Sequence, residues 1–385
     1  MSTYQAPGVY SSIVSSGNKP IESVGSSTAG MIGQCSQGPV QKPVLVTSWA
    51  AYQKVFGGIK EGGHLAHAVY GFFLNGGARC YVLNIGAKTE GQTEESVAAE
   101  IKGEDKGPQH RTGLAAFKAI EDIALVSAPG FTGPIIHQMI SDHASECTDR
   151  MAILDGLEEL DEVQLHEFPR IGDTKEAAVY WPWISVFDES TKKLAYVPPS
   201  GHVMGTIARV DTERGVHKAP ANEVLRGALG LKYTLTRNEQ ALLNPRGINV
   251  IRDLDDMGIR IYGARTLSTD SEWKYLNVRR LFQVVKQSVT KGTEWVVFEP
   301  NDQELWGNIE RNIRAYLKTL YNNGALMGKT PEEAFYVKCN EQTNPGENID
   351  LGIVTIEIGI APVKPAEFVQ INIQQKIERD EAAAE

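Results

Sequence analysis

A chain of 385 residues, 42% hydrophobic and 22% charged, is long enough for two or three domains with substantial cores. Its formal net charge of -10 argues against nucleic acid as a main partner, and no apolar run is long enough to span a membrane. The four cysteines, Cys35, Cys80, Cys147 and Cys339, lie too far apart for a CxxC zinc site or a disulfide framework, so buried, reduced thiols are expected.

The first residues, Met1 to Gly8, have neither a basic nor an apolar leader region, so no signal peptide is expected there. Residues 1–28 read as an extended arm rich in Ser, Gly and Pro. Val9, Tyr10, Ile13 and Val14 give it strand-forming side chains, but too few to order it alone. A small-residue strand is expected at Thr28–Gly33 and a second from Pro43. Ser48 is the expected N-cap of a helix running to Phe56, with Gly57-Gly58 as its stop. A helix over His64–Leu74 and a strand at Cys80–Ile85 follow.

Residues 87–108 are rich in Glu, Lys and Gly and read as a boundary or surface insertion. Beyond them strands and helices alternate. Helices are expected at 114–120, 134–150 and 161–167, and strands at 123–127, 151–155 and 177–180. That order favours a layered α/β domain with a mostly parallel sheet. A helix over Gly201–Asp211 belongs to the same domain, although its two glycines weaken it.

A last α+β domain is expected to begin near residue 247, with strands at 249–251, 259–262, 294–298 and 335–338 and a helix at 272–290. A long helix over 302–321 should be capped by Asn301 with Glu304 three residues on. Its apolar stripe runs through Leu305, Ile309, Ile313, Tyr316, Leu317 and Leu320, while Arg311, Arg314 and Lys318 share another face. Ile356, Ile358 and Ile360 then alternate, and so do Val369, Ile371 and Ile373 after Phe368. Pro362 and Pro365 between these runs exclude a tight hairpin, so the last strand is free to pair outside its own body.

Chemical motifs do not assemble into a site. Gly324–Thr330 resembles a phosphate-binding loop but has three residues between its glycines instead of four, and Pro331 removes a needed donor, so a turn is expected. Ser200 beside His202 lacks the flanking glycines of a nucleophile elbow and reads as a helix cap. Of the His64–His67 pair, one should be core and one surface. The acidic runs 158–162 and 253–256 read as a solvated helix start and a loop. No metal, cofactor or catalytic constellation is expected.

Ordered motifs along nearly the whole chain carry a resemblance. They include Ala6-Pro7-Gly8-Val9-Tyr10, Phe72-Phe73-Leu74-Asn75-Gly76-Gly77, Tyr262-Gly263-Ala264-Arg265-Thr266, Phe298-Glu299-Pro300-Asn301 and Gly359-Ile360-Ala361-Pro362. In this respect the chain resembles the tail sheath proteins of contractile phage tails, phage-tail-like bacteriocins and extracellular injection particles. The resemblance implies an α/β and α+β fold: a layered α/β middle domain, subtilisin-like in the family, plus a C-terminal sheath core domain with extended N- and C-terminal arms. The expected divisions are an arm (1–28), an α/β segment (29–86), an outer α/β domain (87–246), an inner core domain (247–363) and a linking strand with tail (364–385).

The resemblance also implies a non-enzymatic role. Val9, Tyr10, Ile13 and Val14 of one arm, and Phe368, Val369, Ile371 and Ile373 of the other, would add strands to sheets of neighbouring copies. Arg311, Arg314 and Lys318 would face an inner tube protein. The expected partners are the chain itself in hexameric rings, the tube, baseplate and tail terminator proteins, with no nucleic acid, no membrane insertion and no cofactor. Assembly in a bacterial cytoplasm, then a place in a virion tail or released particle, goes with that role. A static lattice protein or an α/β enzyme are the competing readings of the residues alone.

Overall fold

The computed structural model describes residues 20–160 and 171–368. Its centre is a nine-stranded sheet built from β1 (Ala29–Gly33), β2 (Val44–Val46), β3 (Cys80–Asn84), β4 (Leu125–Ser127), β5 (Met151–Asp155) and β6 (Ala177–Trp181), continued by later strands. A three-stranded side sheet holds β7 (Ile184–Asp188), β8 (Lys193–Val197) and β10 (Gly230–Leu231). Strands β9 (Glu223–Val224), β11 (Ile248–Leu254) and β12 (Gly258–Ile261) complete the large sheet, and β13 (Phe335–Lys338) with β14 (Glu357–Ile360) forms a separate two-stranded one.

The large sheet runs in the order β2-β3-β1-β4-β5-β6-β11-β12-β9. It is parallel from β3 through β11 and antiparallel at both margins. Every residue of β1, β4, β5 and β6 is buried, as a parallel sheet covered on both faces requires. The strand period sorts them: Met31, Met151 and Ile153 enter one core, while Ile32, Ala152 and Leu154 enter the other.

Helices α1 (Trp49–Phe56) and α2 (Ile59–Leu74) cover the first face, and α3 (Glu94–Lys102), α4 (Gly113–Lys118) and α5 (Pro134–Cys147) the second. Ser48 caps α1 as expected, its side chain accepting the Ala51 N–H. Helix α6 (Ser200–Arg214) packs along α2, and the two glycines that weaken it locally are what permit the contact. A Cβ on Gly201 would lie 2.2 Å from the Ala68 carbonyl oxygen, and one on Gly205 2.3 Å from that of Phe72. Close packing outweighs the helix propensity lost. Helix α7 (Arg237–Leu243) leads into β11.

The last part of the chain contributes α8 (Leu276–Gly292), α9 (Gln303–Asn322) and the short α10 (Pro331–Ala334) and α11 (Gly346–Asp350). With β13 and β14 they enclose a third core around Leu281, Trp306, Ile309, Ile313, Phe335 and Val337.

Several expectations need correction. Residues 87–108 are not a mere insertion, because α3 buries Val97, Ala98 and Ile101 against the second core. The divisions expected at 86/87 and 246/247 fall inside one sheet, since β1 pairs with β4 and β11 with β6. Residues 294–298 form no strand; Thr293 accepts the Val296 N–H at 2.9 Å and the segment turns as a 3-10 helix. The cap of α9 is Asp302, accepting the Leu305 N–H at 2.9 Å, while Asn301 accepts the Trp306 indole instead. Asp253 and Leu254 belong to β11. Ser200 does not cap α6; the Asp155 carboxylate does, accepting the Ser200 N–H and hydroxyl at 2.8 Å each. The helix expected at 161–167 lies outside the described residues.

Candidate assembly surfaces

The two-stranded sheet is the least complete element of the molecule. Phe335 faces Ile360 and Val337 faces Ile358, and these four side chains point to the third core. Tyr336 and Lys338 alternate to the outside, opposite Gly359 and Glu357. The Tyr336 ring covers Gly359, where a Cβ would lie 2.1 Å from it, and the Tyr336 hydroxyl donates to Glu357 at 2.8 Å. Neither strand has a second strand neighbour among the described residues, so both outer edges have room for a further strand, Arg314 reaching only the Val337 carbonyl of β13. Two strands alone are marginal in water.

Both chain ends are anchored beside this unit. On the N-terminal side Ile21 enters the third core, and a Cβ on Gly292 would meet it at 2.6 Å. The Val24 N–H donates to the Ser288 hydroxyl at 3.0 Å, and Arg280 Nη2 donates to the Ser26 carbonyl at 2.8 Å. Arg280 also holds Asp211, with Nη1 donating to Oδ1 at 2.8 Å, in a pair whose side chains are 3% and 5% exposed.

On the C-terminal side the chain leaves β14 along Ala325–Met327, with the Met327 N–H donating to the Ala361 carbonyl. Asn277 Nδ2 then donates to the Val363 carbonyl at 3.1 Å. Glu367 closes the anchor. Arg265 grips its carboxylate through two nitrogens at 2.7 Å each, and Asn244 Nδ2 and the Tyr275 hydroxyl donate at 3.0 Å each. Lys274 stands 3.4 Å away. Burial alone would raise this carboxyl, but the donors, Arg265 foremost, outweigh it and hold the pKa near about 2. The next residue, Phe368, is 77% exposed.

Of the residues expected to form inter-subunit strands, Phe368 stands free of its own body. Val9, Tyr10, Ile13, Val14, Val369, Ile371 and Ile373 lie outside the described residues. Arg311, Arg314 and Lys318 share the exposed face of α9, as their spacing predicts. Arg314 pairs with Glu310 at 2.7 Å and reaches the Val337 carbonyl of β13 at 3.5 Å. Lys318 makes no ion pair among the described residues. Sequence reading missed the two anchors, Arg280–Asp211 and Glu367–Arg265. Only the position of Glu367 directly after the proline-fixed connector hinted at the second.

The remaining chemical motifs are structural here. Ser200 is held by Asp155, whose carboxyl is pushed up to about 6 by burial, against the hydrogen bonds from Gly130 and Ser200. His202 is fully buried against Gly71 and held down at about 3 by burial. His67 is buried and His64 exposed, as the pair was expected to divide. Gly324–Thr330 is a turn whose Leu326 bridges to Pro362. The four cysteines are free, Cys147 half-buried and the others buried. No group of three metal-binding side chains occurs among the described residues, and no helix there is long and apolar enough to cross a membrane.

Comparison with known families adds an independent observation. The phage tail sheath protein central domain matches residues 106–267, and the phage tail sheath C-terminal domain matches residues 268–376. The chain belongs to the phage tail sheath protein family. The tail sheath protein of Escherichia phage P2 is 25% identical over 387 residues, covering 94% of this chain and 93% of its own. The sheath of an extracellular contractile injection system, PVC, in its contracted state superposes with a TM-score of 0.79 at 29% identity, over 98% of this chain and 99% of its own. The helical sheath of the anti-feeding prophage in the contracted state gives 0.77 at 27%, over 97% and 100%. The boundary between the two sheath domains, 267/268, falls just after β12 and before α8. The small sheet and most of the third core therefore lie in the sheath C-terminal domain, with Ile21 and Val216 added from outside it.

Proposed function

We propose that this sheath protein is a structural subunit that polymerises around a rigid inner tube, docks on a baseplate and contracts to drive the tube through a target envelope. Neighbouring copies are joined by their arms. The N-terminal arm, through Val9, Tyr10, Ile13 and Val14, and the C-terminal strand, through Phe368, Val369, Ile371 and Ile373, add to the open edges of β13 and β14 in other copies. The observation that supports this is a two-stranded sheet with no further strand on either edge among the described residues, sitting between two anchored chain exits.

Each added backbone hydrogen bond contributes roughly 0.5–1.5 kcal/mol, and each buried apolar side chain roughly 1.5–3 kcal/mol. A few such strands outlast a rigid-body rotation of the bodies if the arms bend and the pairing holds. Extension and contraction are then two packings of the same linked copies, with the driving energy stored in their interfaces. Arg311, Arg314 and Lys318 face the tube. A tail terminator closes the far end, and the particle is a virion tail or a released injection device assembled in a bacterial cytoplasm.

Deleting residues 364–385 tests the proposal. Sheath polymers should vanish from electron micrographs while the soluble chain stays folded. Normal contractile sheaths from the truncated chain would refute it.

A further inference from the structure

The loop between α8 and α9 holds an aromatic side chain in a position its own chain does not use. Trp295 and Val296 turn inward onto the third core. The Glu299 N–H donates to the Val296 carbonyl at 3.1 Å and the Asp302 N–H to that of Pro300 at 3.1 Å. Asn301 Nδ2 donates to the Ile353 carbonyl at 3.2 Å while its Oδ1 accepts the Trp306 indole at 2.8 Å. On this fixed frame Phe298 sits at a φ of 71°, in the left-handed region that a bulky side chain avoids. It is 102% exposed, with Val297 beside it at 65%. Across the Asn301–Ile353 bond, Leu351 and Ile353 are exposed too.

Strain and exposure together at one aromatic residue point to a partner. The loop's edge is acidic, with Glu294, Glu299, Glu347 and Asp350; Lys291 is the one cation within 291–304 and 346–353. Two such loops would repel each other, so the loop does not meet its own counterpart. A helical polymer whose copies share one polarity needs contacts between different patches.

A matching patch lies where the C-terminal segment leaves. A cavity of about 580 Å³ opens there, walled by Ala219, Ala221, Tyr262, Ala264, Val363 and Pro365. Its charged lining is Arg214, Lys218 and Glu367, and Glu367 is already matched by Arg265 and Lys274. Arg214 makes no hydrogen bond or ion pair among the described residues. Lys218 stands 3.9 Å from Glu223 and donates to the Ala219 and Ala221 carbonyls, so Arg214 is the unmatched charge at the mouth; the walls are apolar, and the cavity adjoins the exit of the linking strand.

We propose that Phe298 of one copy seats in this cavity of a neighbouring copy, with the acidic edge of its loop, Glu299 first, meeting Arg214. The contact rests on the assembly reading above and adds a second joint between bodies that the arms link flexibly.

The test mixes two full-length single variants, Phe298→Cys and Tyr262→Cys, lets them polymerise and oxidises the polymers. Disulfide-linked dimers should form that need both variants and are absent from the unpolymerised mixture. Alongside, Phe298→Ala should raise the concentration needed for polymerisation roughly tenfold, with thermal melting of the soluble chain unchanged, because the lost ring is exposed and alanine keeps the Cβ at the same φ. Intact polymers with no cross-link, a cross-link to the tube protein instead, or unchanged polymerisation of Phe298→Ala would each overturn the contact. Failure of the unmodified chain to polymerise would remove the assembly reading and this joint with it.

Discussion

The central sheet and the small C-terminal sheet follow opposite rules. The first has nine strands, cores on both faces and antiparallel strands closing its margins. The second has, among the described residues, two strands, one buried face and no strand on either outer edge. In the first, every strand but the two at the margins is paired on both sides; in the second, neither strand is, among the described residues. Under the proposed function, stability then lies in the body and assembly at the periphery, and the chain is pinned on both sides of the small sheet.

The contrast breaks most visibly if the arms are removed. Loss of residues 1–19 or 368–385, which leaves both anchors in place, should abolish polymers yet shift the melting temperature of the soluble chain little, measured by microscopy and circular dichroism. Next in size is Arg280→Met, which strands the buried Asp211 carboxylate and should cost about 3–5 kcal/mol in chemical denaturation. If that loss is negligible, the N-terminal exit is not pinned as described.

Glu367 gives a pH test. Its folded pKa, near about 2, lies below its ordinary value of 4.5, so it stabilises the attached arm above pH 4.5 and that contribution is lost as pH falls toward 2. Proteolysis after the anchor should speed up across that window in the native chain and be fast at all pH values in Glu367→Gln. Asp155 works in the opposite sense. Its raised pKa favours the folded state at low pH, and that contribution is lost as pH rises through about 6.

Charge reversal at Arg311 and Arg314 should weaken assembly on tubes at low salt and matter less as salt rises, because exposed charges are screened. Unchanged assembly would leave the stripe an ordinary solvated face. The smallest effect is expected from Asp302→Ala, which removes the α9 cap and should cost about 1 kcal/mol.

How far the sequence revealed this contrast depended on the range of the interactions. Apolar alternation marked β13, β14 and the α9 stripe, because burial on one face imprints a local period. Ser48 capped its helix because a cap is decided within three residues. Periodicity could not reveal that β11 joins β6, since strand neighbours are chosen by the whole sheet. Nor could it show that Gly201 and Gly205 serve the approach of α6 to α2. Residues 294–298 looked like a strand because Val296, Val297 and Phe298 favour one, but only Trp295 and Val296 find a core. The two anchors joined residues 69 and 102 positions apart, beyond the reach of any local pattern.

Amide hydrogen exchange at Phe335–Lys338 and Glu357–Ile360, compared between soluble chain and assembled sheath, bears most directly on strand donation. Outer-edge amides of both strands should exchange quickly in the soluble chain and slowly in the sheath, before and after contraction. Equal protection in the two forms would contradict the account.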